Sequence, residues 1–142
     1  MKVTGTDGKE YTVEPGANLS GTNLSGADLS DADLWRANLR DTNLRDTNLK
    51  DANLWRVNLR EANLSDANLR GANLWRANLR EANLRDTNLK DANLSGADLR
   101  EANLSGADLS GTNLNDADLS GAVWNDETVF PEGFEIPEMS GT

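Results

Sequence analysis

Leucine stands at position 19 and at every fifth position after it through Leu119, and Trp124 takes the next place in register. No standard element accommodates that spacing. On an α-helix five residues turn the side chain through about 500°, so successive leucines fall roughly 140° apart and smear around the cylinder. On a flat strand an odd spacing sends them to alternate faces. They converge only if the chain bends once in every five residues and each leucine points to a shared interior. The flanking residues agree. Ala, Thr or, once, Val57 stands two places before each leucine, Asn or Asp immediately before it, and two small, charged or Trp residues after it. In an extended tripeptide the first and third side chains share a face. The small residue and the leucine therefore point inward, the Asn or Asp points outward, and the next pair makes a corner where Gly and Asp suit a turn.

The corner residues fix the number of sides. Trp35, Trp55 and Trp75 are twenty apart, each followed by Arg (Arg36, Arg56, Arg76). Arg40, Arg60, Arg80 and Arg100 repeat at the same interval and are followed by Asp41, Glu61, Glu81 and Glu101. Three sides per coil would scramble these sets; four sides of five residues stack them in columns. Internal repetition on this scale defines the whole fold.

With its A/T-N/D-L-x-x unit, residues 17–124 resemble the pentapeptide repeat family, whose repeat is commonly A-[D/N]-L-x-x. The resemblance implies an all-β chain, a right-handed quadrilateral β-helix. At twenty residues per coil the array makes about five coils capped at both ends. The expected organisation is one domain: an N-terminal cap over residues 1–16, the β-solenoid over 17–124, and a C-terminal cap and tail over 125–142. Leu19, Leu39, Leu59, Leu64, Leu79, Leu99 and Leu119 represent the expected core. Tyr11 and Val13 belong to the first cap, which reads as a short hairpin. Trp124, Phe130, Phe134 and Ile136, with Val129, are expected to lid the last leucine layer, with Pro131 and Pro137 stopping further pairing.

Composition narrows the chemistry. The chain has no His and no Cys, which removes the commonest general base, thiol nucleophiles and most zinc sites. The serines lie at corners with no base beside them, and no Walker-type phosphate loop occurs. Asp46, Asp66 and Asp86 form a column, but Arg45 and Arg85 stand beside it. The expectation is no enzyme activity, no cofactor and no metal. Met1–Gly8 lacks the apolar stretch of a secretory signal and no run is long enough to span a membrane, so a cytoplasmic location is expected and membrane binding is not.

What remains is surface. Net charge is −10, yet residues 35–95 carry eleven Lys/Arg against eight Asp/Glu, and residues 125–142 carry five acidic side chains and no basic ones. Overall acidity disfavours nucleic acid as a partner. Trp35, Trp55 and Trp75 with Arg36, Arg56, Arg76 and the Arg40, Arg60, Arg80, Arg100 column form the candidate interaction stripe, since Trp and Arg together are typical of interface hot spots. The same residues also suit mutual shielding by stacking and cation–π contact. The leading expectation is a non-catalytic scaffold that binds another protein through its corners. The family resemblance adds an alternative, a rod that imitates duplex DNA and engages DNA gyrase. That rod would have to be acidic along its length. Near-identical coils also mark recent duplication or a consensus-designed chain without a cellular partner.

Overall fold

The computed structural model describes residues 1–139. It begins with an antiparallel hairpin of β1 (Lys2–Thr4) and β2 (Glu10–Thr12), in which Val3 pairs with Tyr11. Val13 follows, buried, and its N–H donates to the Met1 carbonyl at 2.7 Å. The hairpin lies close on the first coil: a Cβ at Gly5 would stand 2.7 Å from the Asn23 carbonyl oxygen.

From Asn18 onward the chain coils. Parallel bridges join Asn18 to Asn38, Asn23 to Asn43 and so on in steps of twenty as far as Asn103 and Val123. Each side is so short that it contributes a single bridging residue. The result is a β-solenoid whose ladders are rows of isolated bridges; extended strands are confined to the hairpin among the described residues.

The five-residue unit is economical because in a typical copy every backbone donor finds a partner, as a buried or half-buried backbone requires. In residues 37–41 the Ala37 N–H closes a turn onto the Leu34 carbonyl at 3.0 Å. Asn38 N–H reaches the coil before it (Ala17 carbonyl, 2.8 Å), and Leu39 N–H the coil after (Asn58 carbonyl, 2.7 Å). Asp41 N–H also reaches the coil after, at the Arg60 carbonyl, 3.0 Å. The remaining donor, Arg40 N–H, is taken by the Asn38 side-chain oxygen at 3.1 Å. In such a unit the Asn or Asp before the leucine is thus a turn-forming residue.

The turn has a conformational cost. The second corner residue has positive φ at every corner from Gly16 to Gly121, and fourteen of these residues are not glycine, among them Arg36 (φ 58°), Arg56 (54°) and Arg76 (52°). A β-turn closed onto the leucine carbonyl with φ > 0 at its third residue is the type II arrangement. Each non-glycine residue there costs about 1 kcal/mol, so burial of the leucines must carry the fold.

That burial is nearly complete. Leucines 24 through 109 are at most 1% exposed. The buried threonines bond their hydroxyls to leucine carbonyls, as Thr87 Oγ1 does to Leu64 at 2.8 Å, so they bring no unsatisfied group into the axis. Leu119, expected in the core, is only partly buried because no further coil covers it.

At the C-terminal end the array gains one residue. Three corner residues, Asn125, Asp126 and Glu127, follow Trp124 in place of two. Val129 then bridges Asp108, twenty-one residues back, and Thr128 Oγ1 reaches the Leu104 carbonyl at 2.9 Å. The ladder therefore continues five residues beyond Trp124. Trp124 meets Phe130 edge-on, and Phe130 stacks on Phe134. Two assignments to the lid are corrected: Ile136 is 52% exposed and Val129 is 48% exposed. Val129 occupies the outward bridging position of its unit, and the tail returns to the last coil at Met139, whose Sδ accepts the Trp124 N–H at 3.4 Å. Residues 140–142, included in the expected tail, lie outside the described residues.

Candidate interaction surface

Stacking coils at intervals of twenty gives four corners, each a pair of vertical columns. Three of them alternate basic and acidic side chains. In the Arg40 column Arg60 stands 3.7 Å from Glu61 and 3.8 Å from Glu81 of the next coil, and Arg80 stands 3.7 Å from Glu81 and 4.0 Å from Glu101. Arg40 pairs with Asp41, and Arg100 holds Asp98 through two hydrogen bonds. Arg45 pairs with Asp46 and Asp66, and Arg70 with Asp91. The bond from Arg100 holds the Asp98 carboxyl below its ordinary value, and Asp98 in turn raises Arg100. Glu61 moves the other way, raised first by a shared hydrogen bond with the Asp41 carboxyl stacked against it. Exposed pairs of this kind contribute little stability each, but they neutralise their corners.

The fourth corner is different. Trp35 and Trp55 lie parallel, 2° apart in plane with ring centroids 4.9 Å apart. The guanidinium carbon of Arg36 lies 5.3 Å from the Trp55 ring centre, and those of Arg56 and Arg76 lie 5.4 and 4.9 Å from the Trp75 ring centre. Trp35 and Trp55 are half-buried, and Trp75 is 37% exposed. Among the described residues no carboxylate comes within 4.0 Å of the Arg36, Arg56 or Arg76 guanidinium. The ten-residue stripe expected from the sequence thus divides into an uncompensated Trp/Arg corner and an ion-paired Arg40–Arg100 ladder one corner away.

Sequence reasoning missed one feature of this corner. Of the twenty-one Asn or Asp residues that precede the leucines, all but Asp33 and Asn53 accept the N–H two residues on, in bonds such as Asn73 Oδ1 to Trp75 N–H at 3.1 Å. Asn53 Oδ1 is buried and has no hydrogen-bond partner. The two exceptions precede Trp35 and Trp55, the stacked pair. Indole stacking therefore coincides with loss of the bond that organises every other turn. The only sequence signal was Trp itself at that corner.

Other features of the surface carry less. Two adjoining hollows of about 420 and 490 Å³ lie between the last coil and the tail and share Phe134 and Glu135. Among the described residues no cluster of three or more His, Cys, Asp or Glu side chains could hold a metal ion, and no helix is long and apolar enough to cross a membrane.

Comparison with known proteins finds the same repeat. The family model described as pentapeptide repeats matches residues 16–46, 47–86 and 87–123, about three quarters of the chain, in eight copies. Among solved structures, a pentapeptide repeat protein from the cyanobacterium Cyanothece 51142 is 34% identical, covering 83% of this chain and 86% of its own, with a TM-score of 0.40. Another from Nostoc PCC 7120 is 40% identical over 72% of this chain and 77% of its own, TM-score 0.39. A third, from the thylakoid lumen of Arabidopsis thaliana, is 30% identical over 72% and 68%, with a TM-score of 0.50. No curated protein sequence matches.

Proposed function

The chain belongs to the pentapeptide repeat family, and from that premise we propose that it is a non-catalytic protein-interaction scaffold. Its binding surface is the set of corner residues, centred on Trp35, Trp55 and Trp75 with Arg36, Arg56 and Arg76. The reading divides the labour of the repeat. Leucine, the small residue before it and the Asn or Asp between them are committed to the interior and the turns. Only the two corner residues of each unit are free to vary without disturbing either.

One observation carries the proposal: three arginines at a single corner keep their charge uncompensated while the neighbouring Arg40–Arg100 corner is ion-paired throughout. Mutual shielding accounts for the stacked rings but not for the absence of carboxylates, and exposed Trp beside Arg is the composition of a binding hot spot. The proposal takes the solenoid as right-handed and four-sided, with about five coils. It assigns residues 1–16 and the segment after 124 as its caps. Imitation of duplex DNA is the second reading. It needs acid along the whole rod, and the Trp/Arg corner carries none from residue 35 through 96. The thylakoid-lumen relative shows that the family is not confined to the cytoplasm.

The test is affinity capture from a lysate of the source cells, with the parent and the W35S/W55S/W75S variant as parallel baits. A prey protein retained by the parent and lost from an equally folded variant supports the reading. Identical prey on both baits refutes the stripe as the binding surface.

A further inference from the structure

We propose that the Trp/Arg corner accepts a short acidic segment of a protein partner, whose carboxylates seat on Arg36, Arg56 and Arg76. The inference rests on the scaffold reading and names the chemistry of the partner.

Charge is the first argument. Each guanidinium carbon lies 4.9–5.4 Å from a Trp ring centre, and all three arginines are exposed to solvent. None meets a carboxylate within the chain. Arg85, Lys50 and Lys90 also lack an ion pair within 4.0 Å, but Asp86, Asp51 and Asp91 follow them directly in their own corners. Arginine presents a planar fork of donors that fits a carboxylate edge-on, so a row of three such edges selects an anionic ligand.

Spacing is the second. Coils repeat at about 4.8 Å, in keeping with the 4.9 Å between Trp35 and Trp55, so three guanidinium stems span about 10 Å. An extended peptide repeats its same-face side chains every 6.8 Å or so. A Glu-x-Glu segment therefore sets two carboxylates within the row.

Two observations favour a peptide over a nucleic acid. Single strands bind by stacking bases on free aromatic faces. Here one face each of Trp35 and Trp55 is taken by the other, Arg36 lies over the Trp55 ring, and Trp75 lies beneath two guanidinium groups. The rest of the molecule, at −10 overall, repels a long polyanion but leaves a local positive patch able to act within about one Debye length. Short acidic segments satisfy both conditions.

Fluorescence anisotropy at low salt tests the proposal, with a labelled peptide alternating Glu and Gly as probe. Serine and lysine counterparts and an oligothymidylate serve as comparisons. The R36G/R56G/R76G variant removes the row while placing glycine at three positive-φ positions, where it keeps the turn. R45S/R70S/R85S is its charge-matched control on other corners. The acidic peptide is expected to weaken about tenfold with the first variant and less than about twofold with the second, as three exposed ion pairs imply. Equal weakening by both variants would reduce the effect to net charge and overturn the proposal. An oligonucleotide that binds as tightly as the peptide would overturn it too, as would absence of acidic-peptide binding. A serine or lysine peptide bound as well as the acidic one, and lost with the first variant, would refute the acidic partner while leaving the scaffold reading standing.

Discussion

Replacing Leu64 by Ala tests the interior directly. Leu64 is fully buried, and its layer has little freedom to collapse around a void. Its N–H is tied to the Asn83 carbonyl at 2.8 Å, and its own carbonyl accepts both Ala67 N–H at 3.0 Å and Thr87 Oγ1 at 2.8 Å. The backbone is thus pinned to the next coil at the residue whose side chain is cut. A site that cannot relax belongs at the upper end of the Leu→Ala range, about 3–5 kcal/mol. Leu119→Ala is the internal control. That leucine is partly exposed in the last turn, so its loss opens a hollow to water, and about 1–2 kcal/mol is expected. In urea, with a slope of about 2 kcal/mol/M, the first substitution lowers the midpoint by roughly 2 M and the second by less than about 1 M. Circular dichroism follows the whole array. In a Trp124→Phe background, fluorescence of Trp35, Trp55 and Trp75 reports the coils on either side of Leu64, so fraying confined to the last coil is separated from global loss. A Leu64→Ala protein within about 1 kcal/mol of the parent, or less affected than Leu119→Ala, would refute the dry common axis.

Three further outcomes follow from the same geometry. At the corners, Asp31→Gly relieves a positive φ of 59° and is expected to stabilise by roughly 0.5–1 kcal/mol. Gly106→Ala places a Cβ where the Asp86 carboxylate lies and is expected to cost at least about 1–2 kcal/mol; thermal melts that rank the two the other way would contradict the turn assignment. Trp55→Ser is expected to abolish the exciton signal of the Trp35–Trp55 stack in circular dichroism, while cooperative unfolding persists within about 1.5 kcal/mol of the parent; loss of cooperativity would place Trp55 in the core. For pH, Asp28, Asp108 and Asp118 are lowered by hydroxyl bonds from Ser30, Ser110 and Ser120, and Asp98 by Arg100. Their stabilisation is complete above the unfolded carboxylate value of 3.8 and is lost as pH falls through their lower folded values. Glu61 is raised and contributes with the opposite sign, its share being lost as pH rises through its folded value. Urea midpoints should therefore fall below the ordinary carboxylate range, with a shallower acid limb in Asp98→Asn, whose midpoint is already lower at neutral pH; an unchanged acid limb in that variant would remove Asp98 from the account.

The interior was legible because it is redundant. Twenty-one leucines at one interval admit a single way of meeting, and the Trp and Arg columns set the coil length independently. The corners were less legible for a physical reason. Left-handed backbone is announced by Gly or Asn, but here Arg36, Glu61 and Arg76 adopt it, held there by hydrogen bonds to the neighbouring coils that no local propensity encodes. The extra residue after Trp124 was hidden because Trp124 is itself in register; the shift appears only when Thr128 and Val129 resume the pattern one place late. Ile136 was assigned to the lid on hydrophobicity alone. In the structure the tail meets the last coil instead through Phe134 and through Met139, whose Sδ accepts the Trp124 N–H at 3.4 Å.

Within the Trp/Arg stripe the legible part was composition and column spacing; the illegible part was compensation. Sequence places Arg40, Arg60, Arg80 and Arg100 as close to Asp41, Glu61, Glu81 and Glu101 as it places Arg36, Arg56 and Arg76 to the tryptophans. Only the stack shows that an arginine is neutralised as much by the coil after it as by its own neighbour, as with Arg60 and Glu81 at 3.8 Å. A corner is therefore charged or neutral according to what recurs twenty residues on. Changing one residue of a column alters the balance of two coils. At the fourth corner no acid recurs from residue 35 through 96, so no single substitution among Trp35, Trp55 and Trp75 could neutralise all three arginines. The uncompensated charge is a property of the whole column, and an array of near-identical coils keeps it only if the absence of acid is repeated in each one.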